Sequence, residues 1–249
     1  MAKVRTMARA KQQGQGELVF RTHGGRRAGA GRKAAGPRAS ERHGVRSVHD
    51  RRHPAHVTIR IVRDVGNLRR RDTYLALHAA TAITARREDF RIVHLSIQRD
   101  HLHLIVEADH RAALSAGMQG FAISAARRIN RAISARTDQR RIGQVVADRF
   151  HARPLTSPRA VRNALAYVLG NWRRHGEDLA HFARRWGVDP FSSGAVFTGW
   201  KELESSPVLW PLPDSYDPLL VVRPRTWLLR NWDRFHPLIS VREVPGARA

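Results

Sequence analysis

Asp100-His101-Leu102-His103-Leu104-Ile105-Val106 is the stretch from which the fold can be read. Residues from His101 to Glu107 read as a strand. A strand has period two, so both imidazoles point to one face and Leu102, Leu104 and Val106 to the other. Just before it, Gln98-Arg99-Asp100 is a short polar break, and Phe90 to Ile97 is another strand, so the two form a hairpin. Further towards the N-terminus, His56-Val57-Thr58-Ile59-Arg60-Ile61-Val62 alternates and is rich in β-branched residues, which makes it a first strand. Asp72 or Thr73 can cap a helix running to about Arg87, whose apolar and small positions Leu75, Ala79, Ala82 and Ile83 follow helical spacing. Towards the C-terminus, a helix from Ala112 to about Ala135 carries the stripe Leu114, Met118, Phe121, Ala125, Ile129 and Ile133. Residues 149–155 read as a short fourth strand. Ser157-Pro158 is a good N-cap and N1 pair for a helix to about Arg174. The order β-α-β-β-α-β-α predicts an α+β fold: a ferredoxin-like antiparallel sheet with helices packed on it and one added helix.

The chain has 249 residues, 42% of them hydrophobic, which is enough for a core. Its net charge is +24 and its pI about 11.8, so a polyanion is the partner to expect. It has no cysteine, which excludes a disulfide scaffold, cysteine-ligated zinc or iron–sulfur centres and thiol catalysis. No apolar run is long enough for a membrane span, and the basic N-terminus lacks the apolar core of a secretory signal. The charge divides the chain into three. Residues 1–53 are Gly- and Arg-rich with net charge +11 and few large apolar side chains, and they read as a mostly disordered basic arm. Residues 54–175, with net charge +13, read as a compact domain. Residues 176–249 are neutral overall and rich in Trp and Pro. They read as an irregular C-terminal extension packed on that domain, with a short helix near residues 225–232.

Two imidazoles side by side on a strand suit a divalent metal, though solvated strand histidines give the same pattern. The last helix adds to this. Its core stripe is Val161, Leu165, Val168 and Trp172, and Tyr167 lies roughly 130° from the centre of that stripe at about 100° per residue. Asn171 is one turn on from Tyr167. The chain has only two other tyrosines, Tyr74 and Tyr216.

A His-hydrophobic-His strand followed by Tyr167-Val168-Leu169-Gly170-Asn171 on a helix resembles the HUH single-tyrosine transposases, most closely the REP-associated tyrosine transposases of bacteria. His56-Val57-Thr58 resembles the family's first-strand opening. Asp189-Pro190-Phe191-Ser192-Ser193 resembles a segment found after the catalytic helix. The likeness covers about residues 54–200. It implies a single-stranded DNA endonuclease and strand transferase acting at hairpins, as monomer or homodimer, in the cytoplasm with the nucleoid. His101, His103 and Asn171 would hold Mg²⁺ or Mn²⁺, and Tyr167 would be the nucleophile. No nucleotide cofactor is expected: there is no P-loop stretch, and a phosphotyrosine would retain the energy of the broken bond.

Arginine binds phosphate bidentately and stacks on unpaired bases. Two groups are candidate DNA contacts: Arg60, Arg63, Arg69, Arg70 and Arg71 around the first strand, and Arg127, Arg128, Arg131, Arg140 and Arg141 around the second long helix. Two other classes fit the same composition. One is a non-catalytic nucleic-acid-binding protein on the same fold; the other is an RNA nuclease using His101 or His103 as acid or base.

Overall fold

The computed structural model describes residues 49–180, 186–206 and 215–246, and the basic arm expected at residues 1–53 lies almost wholly outside them. All the described residues fall within one compact unit. Four strands, β1 (Ala55–Arg60), β2 (Phe90–Ile97), β3 (His101–Ala108) and β4 (His151–Pro154), form one antiparallel sheet in the order β2-β3-β1-β4. The order and antiparallel pairing are those of the ferredoxin-like α+β arrangement. Helices α1 (Arg71–Thr84) and α2 (Arg111–Thr137) pack together on one sheet face, and α3 (Pro158–Arg174) lies on the other.

The alternation within β3 separates two cores. Leu102, Leu104 and Val106 join the core under α1 and α2, with the α2 stripe Leu114, Met118, Phe121, Ala125, Ile129 and Ile133 against them. Ile105 joins the core under α3, with Val161, Leu165 and Val168. Helix α3 starts where the sequence placed it. Ser157 is the N-cap, and its hydroxyl accepts from the Ala160 N–H, with Pro158 following.

Helix α1 differs from expectation in its buried side. Leu75 and Ile83 are exposed, whereas Thr73, Tyr74, Ala76, Leu77, Ala80, Thr81 and Thr84 are buried. The threonines tolerate this because their hydroxyls are satisfied within the helix: Thr81 donates to the His78 carbonyl at 2.7 Å and Thr84 to that of Ala80 at 2.9 Å. Neither Asp72 nor Thr73 is the cap. Arg70 holds that position without a side-chain cap, and Asp72 lies in the first turn, ion-paired with Arg136.

The C-terminal segment is built into the core rather than laid over it. Val188, Phe197, Trp200, Leu228, Leu229, Trp232 and Ile239 share the core of α3, and the short helix α4 (Trp227–Asn231) lies where one was expected. The same segment covers the outer edge of β2. The Ile97 N–H donates to the Phe191 carbonyl, and the Val222 N–H to that of Ile92. This pairs backbone groups that an open edge would leave exposed. Among the described residues, no helix is long and apolar enough to cross a membrane.

Candidate active site

On the α3 side of the sheet, His101 and His103 converge, with their Nε2 atoms 3.0 Å apart. Two ring nitrogens at that distance need a proton or a cation between them. Each ring is held from its other nitrogen. His101 Nδ1 is 2.7 Å from the Asp100 carboxylate, and His103 Nδ1 is 3.2 Å from both Thr58 Oγ1 and His56 Nε2. A proton on each Nδ1 leaves both Nε2 lone pairs facing the shared point, as in histidines that ligate metals. Burial, reinforced by the neighbouring imidazoles of His101, His56 and His175, pushes His103 down to about 2. Burial also pushes His56 down to about 4, helped by His151 and Arg153. Both rings are therefore neutral at physiological pH.

Helix α3 supplies the rest of the site. The Tyr167 ring lies edge-on to His103 at 5.0 Å between centroids and to His56 at 5.7 Å. It is half-buried, and its hydroxyl has no hydrogen-bond partner among the described residues. One turn on, Asn171 is fully buried, and neither its Oδ1 nor its Nδ2 has a partner. One turn further, the His175 ring is 6.3 Å from that of His101. Asn171 thus sits between two α3 side chains that flank the imidazole pair. An orphaned buried carboxamide one turn from Tyr167 and two converging imidazoles are donors of the kind that suit a divalent ion. Among the described residues, no cluster of three His, Cys, Asp or Glu side chains could hold one.

The other two tyrosines are placed differently. Tyr74 donates its hydroxyl to the Asp217 carbonyl at 2.6 Å, and Tyr216 donates to that of Pro190 at 3.2 Å. Burial raises both phenols above the ordinary tyrosine value, Tyr216 to about 12, which makes them harder to ionise.

This geometry provides the context for comparison with known proteins. Residues 54–169 match the family model described as "Transposase IS200 like". Over that segment the chain is similar to the IS200-like transposases. The segment takes in the whole sheet, the His101–His103 pair and α3 as far as Leu169. A solved structure of a REP-associated tyrosine transposase bound to a REP hairpin is also similar. It is 16% identical with a TM-score of 0.44, over 74% of this chain and 99% of that one. No curated protein matches the chain.

Several candidate residues fall in unexpected places in the structure. Arg69, expected among the DNA contacts, is committed to the fold. Its buried guanidinium makes paired bonds of 2.8 and 3.0 Å to the Asp189 carboxylate, donates to the Ile97 carbonyl and lies over the Phe191 ring. The Asp189-to-Ser193 motif is therefore a brace: Asp189 fixes Arg69, while the Ser193 hydroxyl accepts from the Leu95 N–H and meets His94. Arg141 is partly committed too, donating to the Asn130 side chain and the Gln144 carbonyl. Arg127, Arg128 and Arg131 belong to α2, on the opposite sheet face from the histidines.

Of the expected group, Arg60 sits best. It pairs in register with His101 and is exposed on the histidine face. Arg63, Arg70, Arg71 and Arg140 are also exposed. Sequence reading assigned no role to His175, to His151 and Arg153 on β4, or to His56 beyond its part in the first-strand likeness. The pairs Thr58↔His151 and His56↔Arg153 put the β4 residues on the same face as the site. Only cross-strand register shows this. His175 had a legible signal, since it follows Tyr167 and Asn171 at the same four-residue interval.

Proposed function

We propose that this protein is a metal-dependent single-stranded DNA nicking and strand-transfer enzyme that acts at hairpins through a covalent 5′-phosphotyrosine on Tyr167. The observation that carries this reading is the Tyr167 phenol, free of partners and edge-on to a converging imidazole pair. His101, His103 and Asn171 would hold Mg²⁺ or Mn²⁺, which when bound would neutralise phosphate charge and orient the scissile group. The phenol oxygen attacks phosphorus and the bond to O3′ breaks, leaving a phosphotyrosine and a free 3′-hydroxyl. The phenol gives up its proton, and the departing O3′ takes one up. In the reverse direction, a 3′-hydroxyl attacks the phosphotyrosine, the Tyr–O–P bond breaks and the strand is rejoined without a nucleotide cofactor. Helix α3 holds the phenol against the sheet, Thr58 and Asp100 hold the imidazoles in one tautomer, and Arg60 stands beside His101 where a phosphate could be met.

The test is adduct trapping. With Mn²⁺ and a hairpin-bearing single strand, the protein should form an adduct that survives boiling in detergent. Tyr167→Phe should form none, while Tyr74→Phe and Tyr216→Phe, whose hydroxyls serve only the fold, should still form it. Cleavage that persists in Tyr167→Phe would overturn the assignment. Cleavage without an adduct would favour the histidine nuclease instead. His101→Ala or His103→Ala should abolish cleavage and largely spare binding.

A further inference from the structure

Trp227 and Phe235 are each more than half exposed, and their rings lie 5.6 Å apart. The neighbouring Leu228, Leu229 and Trp232 are buried, so α4 is anchored by one side and presents Trp227 on the other. An exposed aromatic pair is unfavourable in water and needs an explanation. Trp227 forms one wall of a cavity of about 500 Å³, with Arg51, Arg52 and Arg225 around it.

The two acids of this cavity are already engaged. Glu107 is buried and accepts from the backbone N–H groups of Arg225 and Thr226, with the Arg91 guanidinium 3.4 Å away. Arg91 also pairs with Asp109 at 3.0 Å. Arg52 is paired with Asp50. The guanidinium groups of Arg51 and Arg225 have no carboxylate partner among the described residues. The cavity thus offers two free cations and an aromatic face, with its negative charge neutralised.

We propose that this surface is a second DNA site: an unpaired base stacks on the exposed Trp227 ring, beside which Phe235 lies tilted by 55°, while Arg51 and Arg225 hold the adjoining phosphates. This combination of aromatic face and positive groove is the chemistry of single-strand binding. The arginines favour a polyanion over an apolar protein partner. Strands β1 and β4, which carry His56 and Arg153, lead to the cavity. His53 and Thr156 line it, His56 lies three residues along from His53, and Arg153, paired with His56, lies three residues before Thr156. This inference rests on the reading that the protein acts on single-stranded DNA.

The experiment measures binding by Tyr167→Phe protein, so that cleavage does not intervene. A hairpin with a single-stranded flank carries 2-aminopurine at each flank position in turn. Quenching is expected at one position, and it should be lost in Trp227→Ala with about tenfold weaker affinity. Trp227→Phe should retain most of both. Arg51→Ala and Arg225→Ala should each lower the log–log salt slope by about 0.7. The site is overturned if Trp227→Ala and Trp227→Ala/Phe235→Ala bind as tightly as their parent. It is equally overturned if the double variant instead dissociates a dimer in sedimentation, which would make the patch a contact between copies. An adduct formed by protein that keeps Tyr167, together with unchanged binding when Trp227→Ala is added to Tyr167→Phe, rejects the stacking site and leaves the catalytic reading standing. The reverse pair of results does the opposite.

Discussion

A buried carboxamide without a partner destabilises a fold by about 1–3 kcal/mol, and Asn171 is such a group. Asn171→Leu has similar volume and removes the unmet polar atoms. In metal-free protein, thermal unfolding should therefore shift upward, while cleavage with Mn²⁺ should fall. A lowered midpoint would mean that the carboxamide has protein partners and is not held in reserve for a ligand. His94 poses a different residue-level question. It is buried against Ser193, and burial pushes it down to about 4. In the unfolded chain it titrates near its ordinary 6.5, so below that pH the unfolded state binds more protons than the folded one. The stability from keeping it neutral is complete above about pH 6.5 and is lost progressively towards pH 4, at about 1.4 kcal/mol per pH unit. Urea midpoints should decline over that window, and less steeply in His94→Gln. Parallel declines in the two proteins would mean that His94 is not the group involved.

At the scale of elements, what could be read from the sequence follows from periodicity. The α2 and α3 stripes and the β2–β3 hairpin were legible because a single period of large apolar residues marked each. The buried side of α1 was not. Its threonines are buried through their own backbone bonds, which no apolar stripe reports, and Leu75 and Ile83 are left in solvent. The His101–His103 pair was visible in one strand, whereas His56, His151 and Arg153 joined the site only through register. Gly170, whose place in a helix is unfavourable by about 1 kcal/mol relative to Ala, also has its explanation elsewhere: a Cβ there would lie 3.2 Å from the Glu243 carbonyl and from Pro245. Two glycines of α2 allow a controlled test of such packing. A Cβ on Gly117 would collide with the fully buried Phe90 ring of β2, whereas one on Gly120 would meet nothing within 4 Å. Gly120→Ala should stabilise by about 0.5–1 kcal/mol through helix propensity alone. Gly117→Ala should lose more than that gain, because overpacking a filled core costs about 1–3 kcal/mol. Opposite shifts of the urea midpoint are expected. A stabilised Gly117→Ala would show that α2 does not pack on β2 as described.

Over the whole molecule, the charge of +24 is not balanced by the fold. Some arginines are consumed internally: Arg69 by Asp189, Arg91 by Glu107 and Asp109, Arg162 by Glu243 and Arg173 by Asp178. These pairs leave the net charge unchanged, so the surplus is carried by exposed arginines and by the N-terminal segment. Exposed cations meeting single-stranded DNA release counterions, and log affinity then falls linearly with log salt, by about 0.7 per phosphate neutralised. Residues 1–48 hold a net charge of +10 within this excess. If that segment contacts the strand, a protein beginning at residue 49 should bind with a flatter slope. It should still form the Tyr167 adduct, since the sheet, α3 and the imidazole pair all lie within the retained residues. The measurement is affinity for a labelled hairpin with a single-stranded flank, using Tyr167→Phe protein of both lengths from 50 to 400 mM salt. A slope unchanged by the truncation would exclude the N-terminal segment as a phosphate contact and place the whole electrostatic term on the folded unit.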